Sequence, residues 1–127
     1  MIRPFDIEDI DALYDMLEVE GLKKEDMGFL EHKTFVYDDG EMKGFYTYRI
    51  DYAIFPYLIH FCVRRDSRRT DVARALIRHF RHKMKDSGYR KIILHSMPLT
   101  EKIIKWYFKQ EEPYGNTDNK DFYLVEA

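Results

Sequence analysis

A basic loop between two apolar segments is the stretch of this sequence best suited to chemistry. Residues 57–63 are mostly apolar, residues 64–71 contain four arginines, and an apolar pattern with a helical period begins at Val72. A strand, a loop and a helix start in this order often form an anion site. The first amide N–H groups of a helix lack intrahelical partners, and that end carries partial positive charge. The spacing therefore predicts a phosphate-binding loop after Val63.

Two predicted elements hold this loop in place. Residues 57–63 have the nearly continuous apolar character of a central strand that is covered on both faces. Residues 72–87 predict a long helix with apolar residues along one face, ended by Gly88. A second apolar strand is predicted at residues 91–96, so the strand, loop, helix and next strand form a parallel crossover unit.

The rest of the chain predicts further helices and strands on either side of this unit. Residues 1–5 predict an extended segment, and Asp6 is placed to cap a first helix. The apolar stripe of that helix is Ile7, Ile10, Leu13, Tyr14 and Leu17. Strands are predicted at residues 33–37 and 42–51 around an acidic, glycine-containing turn, with residues 54–56 breaking the run. Residues 98–108 predict a helix, residues 115–120 a polar turn, and residues 122–125 the last strand.

Together these elements predict an α/β fold in one domain over residues 1–127. It would have a single mixed, mostly antiparallel central sheet flanked by helices on both faces. Apolar residues make up 45% of the chain and charged residues 35%, as in globular proteins. No apolar run approaches the roughly 20 residues that cross a bilayer, and the first residues lack a signal-peptide core. We therefore expect no membrane partner and a cytoplasmic location.

The spacing Arg68-x-x-Asp71-x-Ala73 and the order of elements resemble the GNAT superfamily of N-acetyltransferases. The usual loop pattern of that superfamily is Gln/Arg-x-x-Gly-x-Gly/Ala. The resemblance covers essentially the whole chain and extends to compact, motif-degenerate members encoded by small tailed phages. It implies the acyl-CoA N-acyltransferase fold and acetyl-CoA as co-substrate. The residues that it implies for coenzyme A binding are Cys62, Val63, Arg68, Arg69, Thr70, Asp71, Val72, Ala73 and Arg74.

Asp71 stands where that pattern has glycine, and two interpretations follow. In one, the carboxylate turns aside, the arginines compensate for its charge, and coenzyme A still binds. In the other, the carboxylate caps the helix and satisfies the N–H groups that a phosphate would otherwise use. The fold would then be retained while cofactor binding is weak or lost.

A tyrosine in the last predicted helix is the candidate catalytic acid. The segment Thr100-x-x-Ile103-x-x-Trp106-Tyr107 resembles the family segment Asn-x-x-Ala-x-x-Leu-Tyr, whose tyrosine commonly protonates the leaving thiolate. The resemblance thus implies that Tyr107 is this acid, although the same aromatic residues would also suit a core face. No general base is assigned. Tyr57 is the nearest residue to the position where some members carry a glutamate, and His60 and Asp51 are alternatives by chemistry alone.

The predicted partners are acetyl-CoA and an amine acceptor, either a small molecule or a protein lysine. Residues 1–31 carry ten acids against three bases, which favours a cationic acceptor near the first helix. Whether the chain forms a homodimer is left open. Cys62 lies in an apolar strand and is expected to be a buried core residue. His79-x-x-His82 suits two metal ligands on one helix face, but without an evident third ligand we predict no metal site.

Two other functions are considered besides acetyl transfer. The first is a catalytically weak or inactive GNAT-like interaction module, which the glycine-to-aspartate difference at position 71 would favour. The second is nucleic-acid binding through the basic surface of residues 64–81. Its arginines are Arg64, Arg65, Arg68, Arg69, Arg74, Arg78 and Arg81. Nucleic acid is the less favoured partner, because the chain has a net charge of −2 and the basic stretch lacks interleaved aromatic residues.

Overall fold

The computed structural model describes residues 1–19, 33–51, 55–68, 71–95, 105, 108, 115–117 and 120–127. The strands of this part are β1 (Ile2–Pro4), β2 (Lys33–Asp38), β3 (Met42–Asp51), β4 (Phe55–Val63), β5 (Lys91–His95), β6 (Gly115–Thr117) and β7 (Lys120–Glu126). Its α-helices are α1 (Ile10–Val19) and α2 (Val72–Asp86), and short 3₁₀ turns lie at Ile7–Asp9 and Arg65–Ser67. The strands form one sheet in the order β1-β2-β3-β4-β5-β7-β6, in which β4 and β5 are parallel and the other pairs antiparallel. The predicted α/β class with a mixed, mostly antiparallel sheet is confirmed.

The start of the first helix follows the predicted capping pattern with one difference. The Asp6 carboxylate accepts a hydrogen bond from the N–H of Glu8, and the Asp9 carboxylate accepts one from the N–H of Asp6, forming a capping box. Residues 7–9 form a 3₁₀ turn, however, and Ile7 is 64% exposed. The prediction that Ile7 belongs to the apolar stripe is therefore wrong, because the tighter turn rotates it off that face. Met16 lies in the core instead.

Two predicted strand boundaries also differ from the structure. β4 already begins at Phe55 and contains Pro56, which lies opposite Ile50 of β3. A proline is tolerated there because pairing with β5 starts only at the following residue, so no N–H donor is needed on that side. The predicted polar turn over residues 115–120 contains β6, which pairs with the start of β7. Backbone pairing at the sheet edge thus prevails over the polar composition of this segment.

The helix α2 has the predicted length and a well-defined end. Two hydrogen bonds close its C-terminal end. The N–H of Gly88 donates to the carbonyl of Lys85, and the N–H of Tyr89 donates to the carbonyl of Met84. These two bonds form a Schellman motif, which needs a left-handed residue at Gly88, where φ is +93°. After this turn the chain enters β5, which lies next to β4 on the side away from β3.

Each face of the sheet carries its own core cluster. The α2 face buries residues of α2 against alternate residues of the strands, including Tyr46, Leu58, Phe61, Phe80 and Leu94. The opposite face packs under α1 and buries Leu13, Leu17, Val36, Phe45 and Cys62. Cys62 is therefore a buried core residue, as predicted. In the part of the chain that the structure describes, neither helix could span a bilayer.

Candidate active site

The two parallel strands at the centre of the sheet meet at only one point in the part of the chain that the structure describes. The register of β4 with β5 consists of Tyr57 opposite Ile93. Two residues further along β4, Ile59 is an extra residue, since Thr47 pairs with His60 while Tyr48 pairs with Leu58. Such a bulge bends its strand, and among the described residues no pairing of β4 with β5 follows that of Tyr57 with Ile93. We call the space between residues 58–63 of β4 and the end of β5 the β4–β5 gap.

The loop after β4 is held against the end of that strand. The N–H of Ser67 donates to the carbonyl of Arg64, with 2.9 Å between nitrogen and oxygen, and this bond closes the 3₁₀ turn. Ser67 is buried, so this turn packs inward. The Nε of Arg68 then donates to the carbonyl of Val63 at 3.1 Å. These bonds hold residues 64–68 against the end of β4.

Arg64 is held by carboxylates on both sides. Its guanidinium lies 3.0 Å from Glu41 and 2.7 Å from Asp66, and Lys43 lies 2.7 Å from the same Glu41. The hydrogen bond to Lys43 is the largest cause of the lowered pKa of Glu41, followed by the bond to Arg64. The same contact with Glu41 raises the pKa of Arg64. Sequence reasoning missed Glu41, because it lies in a hairpin turn more than 20 residues before the loop.

Asp71 occupies the capping position of α2 without capping it through its side chain. The residue is exposed, with φ −82° and ψ 5°, and makes no side-chain capping hydrogen bond. Its carbonyl accepts the N–H of Ala75 at 2.9 Å, so its backbone belongs to the helix start. No acidic residue lies in the first turn of α2. The structure thus lacks the capping bond required by the interpretation in which Asp71 satisfies the helix start.

Gly44 of β3 allows α2 to begin close to the sheet. A Cβ at this position would lie 2.8 Å from the carbonyl oxygen of Cys62, 3.0 Å from Leu76 and 3.3 Å from Val72. The first two turns of α2 therefore pack directly over a residue that has no side chain. This packing sets the position of the helix N-terminus at the open end of β4, and sequence reasoning gave Gly44 no role.

The predicted basic surface is largely occupied by internal contacts. Arg65 donates to the carbonyl of Val19 at 3.2 Å, and the guanidinium of Arg81 lies 4.9 Å from the ring centroid of Phe108. Arg64 and Arg68 are engaged as described above. Arg74 and Arg78, by contrast, are exposed along α2, with Arg74 in its first turn. This arrangement favours a local anion site at the start of α2 over a long phosphate-tracking surface.

A cavity of about 580 Å³ opens on the α1 side of the same strand end. We call it the α1 cavity. Its lining residues come from α1, from the start of β3, and from the end of β4 with the following turn: Ala12, Asp15, Met16, Val19, Glu41, Met42, Cys62, Val63, Arg64, Arg65 and Asp66. A cavity of this size suits a small molecule or one extended side chain. It shares Cys62 and Val63 with the β4–β5 gap, so an occupant would lie beside a ligand in that gap.

A tyrosine and a histidine meet at the closed end of the gap. The hydroxyl of Tyr57 on β4 lies 2.8 Å from Nδ1 of His95 on β5, and the two rings are stacked at 5.5 Å. His95 is 4% exposed, whereas Tyr57 is half-buried. The guanidinium of Arg49 lies over the Tyr57 ring at 5.4 Å. The sequence singled out Tyr57 by position only and did not single out His95.

The predicted site residues fall into three groups. Val63, Arg68, Asp71, Ala73 and Arg74 lie together at the open end of β4 and the start of α2, where Val72 also lies, with its side chain in the core. Cys62 adjoins them, but its side chain packs under α1. Arg69, Thr70 and Tyr107 lie outside the described residues, as does most of the last predicted helix.

The candidate bases and metal ligands are placed apart from one another. His60 is half-buried on β4, and the backbone of Asp51 ends β3 opposite Phe55. His79 bonds to Tyr46, whereas His82 lies 3.7 Å from Asp86. Within the described ranges, no three His, Cys, Asp or Glu residues are grouped so as to hold a metal ion.

Solved structures share this architecture over nearly their whole length. A GNAT-family acetyltransferase from Staphylococcus aureus Mu50 superposes with a TM-score of 0.77 and 13% identity, covering 99% of this chain and 98% of that one. The ribosomal-protein-S18-alanine N-acetyltransferase of Escherichia coli gives 0.72 and 16%, covering 99% and 92%. An aminoglycoside 6′-N-acetyltransferase complexed with coenzyme A gives 0.72 and 17%, covering 100% and 96%. At these identities the likeness shows a common fold.

A comparison with curated proteins gives no match. Among protein families, residues 3–110 match the acetyltransferase (GNAT) family. The match includes β1, α1, the hairpin, the bulged β4, the basic loop and α2, which are the elements that build the gap and the anion site. By its sequence and its fold, the chain belongs to the GNAT acetyltransferase family.

Proposed function

We propose that this protein is an N-acetyltransferase that moves an acetyl group from acetyl-CoA to a primary amine within a ternary complex. The observation that carries the proposal is that the described pairing of the parallel strands β4 and β5 ends at Tyr57, while β4 continues to the basic loop and the start of α2. An opening between two parallel strands offers backbone groups along one wall. The helix start offers positive potential at its end.

Coenzyme A fits the length and the chemistry of this opening. The path from Val63 back to Tyr57 spans about 20 Å of extended strand, comparable with the pantetheine arm and its first phosphate. Alternate backbone amides of β4 point towards the gap, where the two amide groups of pantetheine would pair with them. The pyrophosphate would lie at the start of α2, with Arg74 exposed beside it and Arg68 holding the loop. The aminoglycoside 6′-N-acetyltransferase that shares this fold is complexed with coenzyme A, which supports the choice of coenzyme A as the ligand class.

The reaction needs positioning more than covalent help from the protein. The amine nitrogen attacks the thioester carbonyl carbon, the carbon–sulfur bond breaks, and the nitrogen loses one proton. The departing thiolate takes one proton, for which Tyr107 remains the predicted donor. Backbone N–H groups at the bulge of β4 would polarise the carbonyl oxygen as charge develops on it. Holding both substrates together supplies much of the rate enhancement in such a direct transfer.

The α1 cavity is the proposed place of the part of the acceptor that is remote from the reacting amine, and the amine would extend from it along the α1 face of β4 to the closed end of the gap. The cavity joins the gap at Cys62 and Val63, and its wall contains the carboxylates of Asp15, Glu41 and Asp66. Arg64 neutralises Glu41 and Asp66 locally, whereas Asp15 of α1 is exposed. We therefore favour an acceptor with a cationic amine and an apolar stem, since apolar atoms of Ala12, Met16 and Met42 line the same wall.

Calorimetric titration with acetyl-CoA tests the proposal directly. We expect one site per chain, competition by free coenzyme A, and a weaker fit for acetyl-pantetheine, which lacks the nucleotide and the pyrophosphate. A thiol-release assay with lysine derivatives, polyamines and aminoglycosides would then identify the acceptor class. Absence of heat and of any thermal shift at millimolar acetyl-CoA would reject the enzyme assignment and favour a GNAT-like interaction module.

A further inference from the structure

We propose that Tyr57 and His95 form the proton-accepting pair of this acetyltransferase, with Tyr57 taking the proton from the nucleophile and His95 receiving the tyrosine proton. The inference rests on the proposed function. It assigns the general base, which neither the loop motif nor the family match identifies.

The position of the pair follows from the strand register. Leu58 and Tyr48 belong to the core on the α2 face, and Tyr57 lies next to Leu58 and opposite Arg49. Because side chains alternate along a strand, Tyr57 lies on the face that α1 covers. On β5, Ile92 and Leu94 belong to the α2 face, so His95 also lies on the α1 face. The pair is thus on the same side of the sheet as the α1 cavity.

The pair also lies at the end of the gap where the thioester would be. Tyr57 is the β4 residue at which the two strands still pair, and His95 is two residues beyond its partner Ile93. A pantetheine arm that enters at Val63 and runs about 20 Å along β4 brings its sulfur to this closed end. The nucleophile arriving from the α1 side would then approach the carbonyl carbon beside the Tyr57 hydroxyl.

The exposure of the two groups defines their separate roles. His95 is 4% exposed, its ring stacks on that of Tyr57, and Phe122 lies against both rings, 6.0 Å from Tyr57 and 6.1 Å from His95 between centroids. His95 cannot readily reach a substrate, whereas the half-buried Tyr57 can. With the proton of the neutral imidazole on Nε2, Nδ1 accepts a hydrogen bond from the Tyr57 hydroxyl at 2.8 Å. Tyr57 is therefore the catalytic residue, and His95 acts through it.

The proton balance of the step is complete within these groups. Before the nitrogen–carbon bond forms, the ammonium group of the acceptor gives one proton to Tyr57 Oη while the hydroxyl proton passes to His95 Nδ1. The neutral amine then attacks and later gives up its second proton to the side of the leaving thiolate. The products are a neutral tyrosine and a histidine imidazolium, and the thiolate leaves with the electrons of the carbon–sulfur bond. Transient negative charge on Tyr57 Oη is stabilised by Arg49, whose guanidinium carbon lies 5.4 Å from the ring centroid. His95 then returns its proton to solvent after product release.

Two nucleophiles that differ in their need for a base test this assignment without knowledge of the natural acceptor. Water must lose a proton to attack acetyl-CoA, whereas hydroxylamine attacks as a neutral amine at neutral pH. Release of coenzyme A would be followed with a thiol reagent for wild type, Tyr57→Phe and His95→Asn. Tyr37→Phe, which removes a hydroxyl from a half-buried tyrosine on β2, is the matched control.

We expect Tyr57→Phe to lower the hydrolysis rate by about 100-fold, the low end of general-base effects, with the KM for acetyl-CoA unchanged. The hydroxylamine reaction of the same variant should change by less than about threefold, since it needs no base for attack. His95→Asn keeps a hydrogen-bond partner near Tyr57 but cannot take a proton, and should show the same selective loss. Tyr37→Phe should leave both rates unchanged.

Two outcomes overturn the assignment. Equal losses for water and hydroxylamine, or no selective loss in Tyr57→Phe, would remove the pair from proton transfer while acetyl transfer stands. Binding of acetyl-CoA by the wild type without release of coenzyme A to either nucleophile would also contradict it. Failure of the wild type to bind acetyl-CoA in calorimetry is a different result, because it rejects the proposed function itself.

Discussion

The α-carbon of Gly44 lies so close to the carbonyl oxygen of Cys62 that an added Cβ would approach it to 2.8 Å. The obstacle is backbone, so it cannot rotate away as a side chain would. On its other side the same Cβ would meet Leu76 and Val72 of α2. A missing side chain in β3 therefore sets how closely the start of α2 approaches the strand that borders the gap.

Gly44→Ala is expected to destabilise the protein by about 1–3 kcal/mol, the usual cost of overpacking a core. It should also weaken acetyl-CoA binding, because α2 must move outward and take its N-terminus with it. Gly115→Ala is the matched control, since Gly115 also lies in a strand but has open space around its Cβ position. Denaturant unfolding and calorimetry measure the two effects. A Gly44→Ala protein with unchanged stability would show that the close packing is not constraining.

Replacing Asp71 by glycine is expected to tighten acetyl-CoA binding by about three- to tenfold. The exposed carboxylate repels the pyrophosphate, and its removal relieves that repulsion. Stability should change little, because the side chain makes no capping hydrogen bond. Asp71→Asn separates charge from bulk, since it removes the negative charge and keeps the shape. Tightening in both variants assigns the effect to charge, and unchanged or weaker binding in both would contradict it.

Arg74→Ala is expected to weaken acetyl-CoA binding by about five- to tenfold, consistent with the loss of one partly solvated charge-assisted contact. Arg74 is exposed in the first turn of α2, so its removal should leave the fold intact. Arg78→Ala, one turn further from the helix start, is the control and should bind nearly as wild type. Titrations at two salt concentrations should show a smaller salt dependence for Arg74→Ala. Equal losses in the two variants would point to a diffuse electrostatic effect.

His79 is expected to make stability fall as the pH is lowered. Its Nδ1 lies 2.6 Å from the hydroxyl of Tyr46, and burial, followed by the charges of Lys83 and His82, lowers its pKa below the usual 6.5. The unfolded chain therefore binds more protons than the folded chain between the two pKa values. Stability is thus unaffected above about pH 7, decreases as the pH falls through 6.5, and levels off below the folded pKa.

Unfolding in denaturant at a series of pH values measures this dependence. His79→Gln should be nearly insensitive to pH between about pH 7 and pH 5, apart from the other titrating groups. His82→Gln is the control, because His82 is also on α2 and its side chain is 81% exposed. A wild-type slope that survives in His79→Gln would assign the dependence to other residues.

The parts of the fold that follow from local patterns were predictable from the sequence. The period of α2, the glycine at its end and the acidic turn of the hairpin each reflect interactions within a few residues. The family match confirms the resemblance that the loop spacing suggested. The errors arose where one element competes with another, as at Ile7, whose 3₁₀ turn leaves the helical face, and at β6, whose polar residues pair at the sheet edge.

The loop of the candidate site was predictable from the sequence, but the shape of the gap and of the α1 cavity beside it was not. The arginines of the loop and Asp71 stand in one contiguous motif, whereas the contacts that shape the site join distant positions. Glu41 reaches Arg64 from the hairpin, and His95 meets Tyr57 across two strands. Such partners carry no local signal, because a histidine at the end of an apolar strand looks like any other core residue. Only the strand register reveals which face each side chain occupies.

The extra residue in β4 means that the number of residues in this strand, more than their types, determines which face of the sheet Tyr57 occupies. Ile59 lies between the pairs Thr47–His60 and Tyr48–Leu58. The residues before and after it point to their present faces of the sheet only because this extra residue is there. Deleting one residue there would either shift Tyr57 to the opposite face of the sheet or remove the bend that opens the gap. Substitutions at position 59 leave the count unchanged and so preserve the register. Natural variation in this strand should therefore consist of exchanges of residue type, with insertions and deletions excluded.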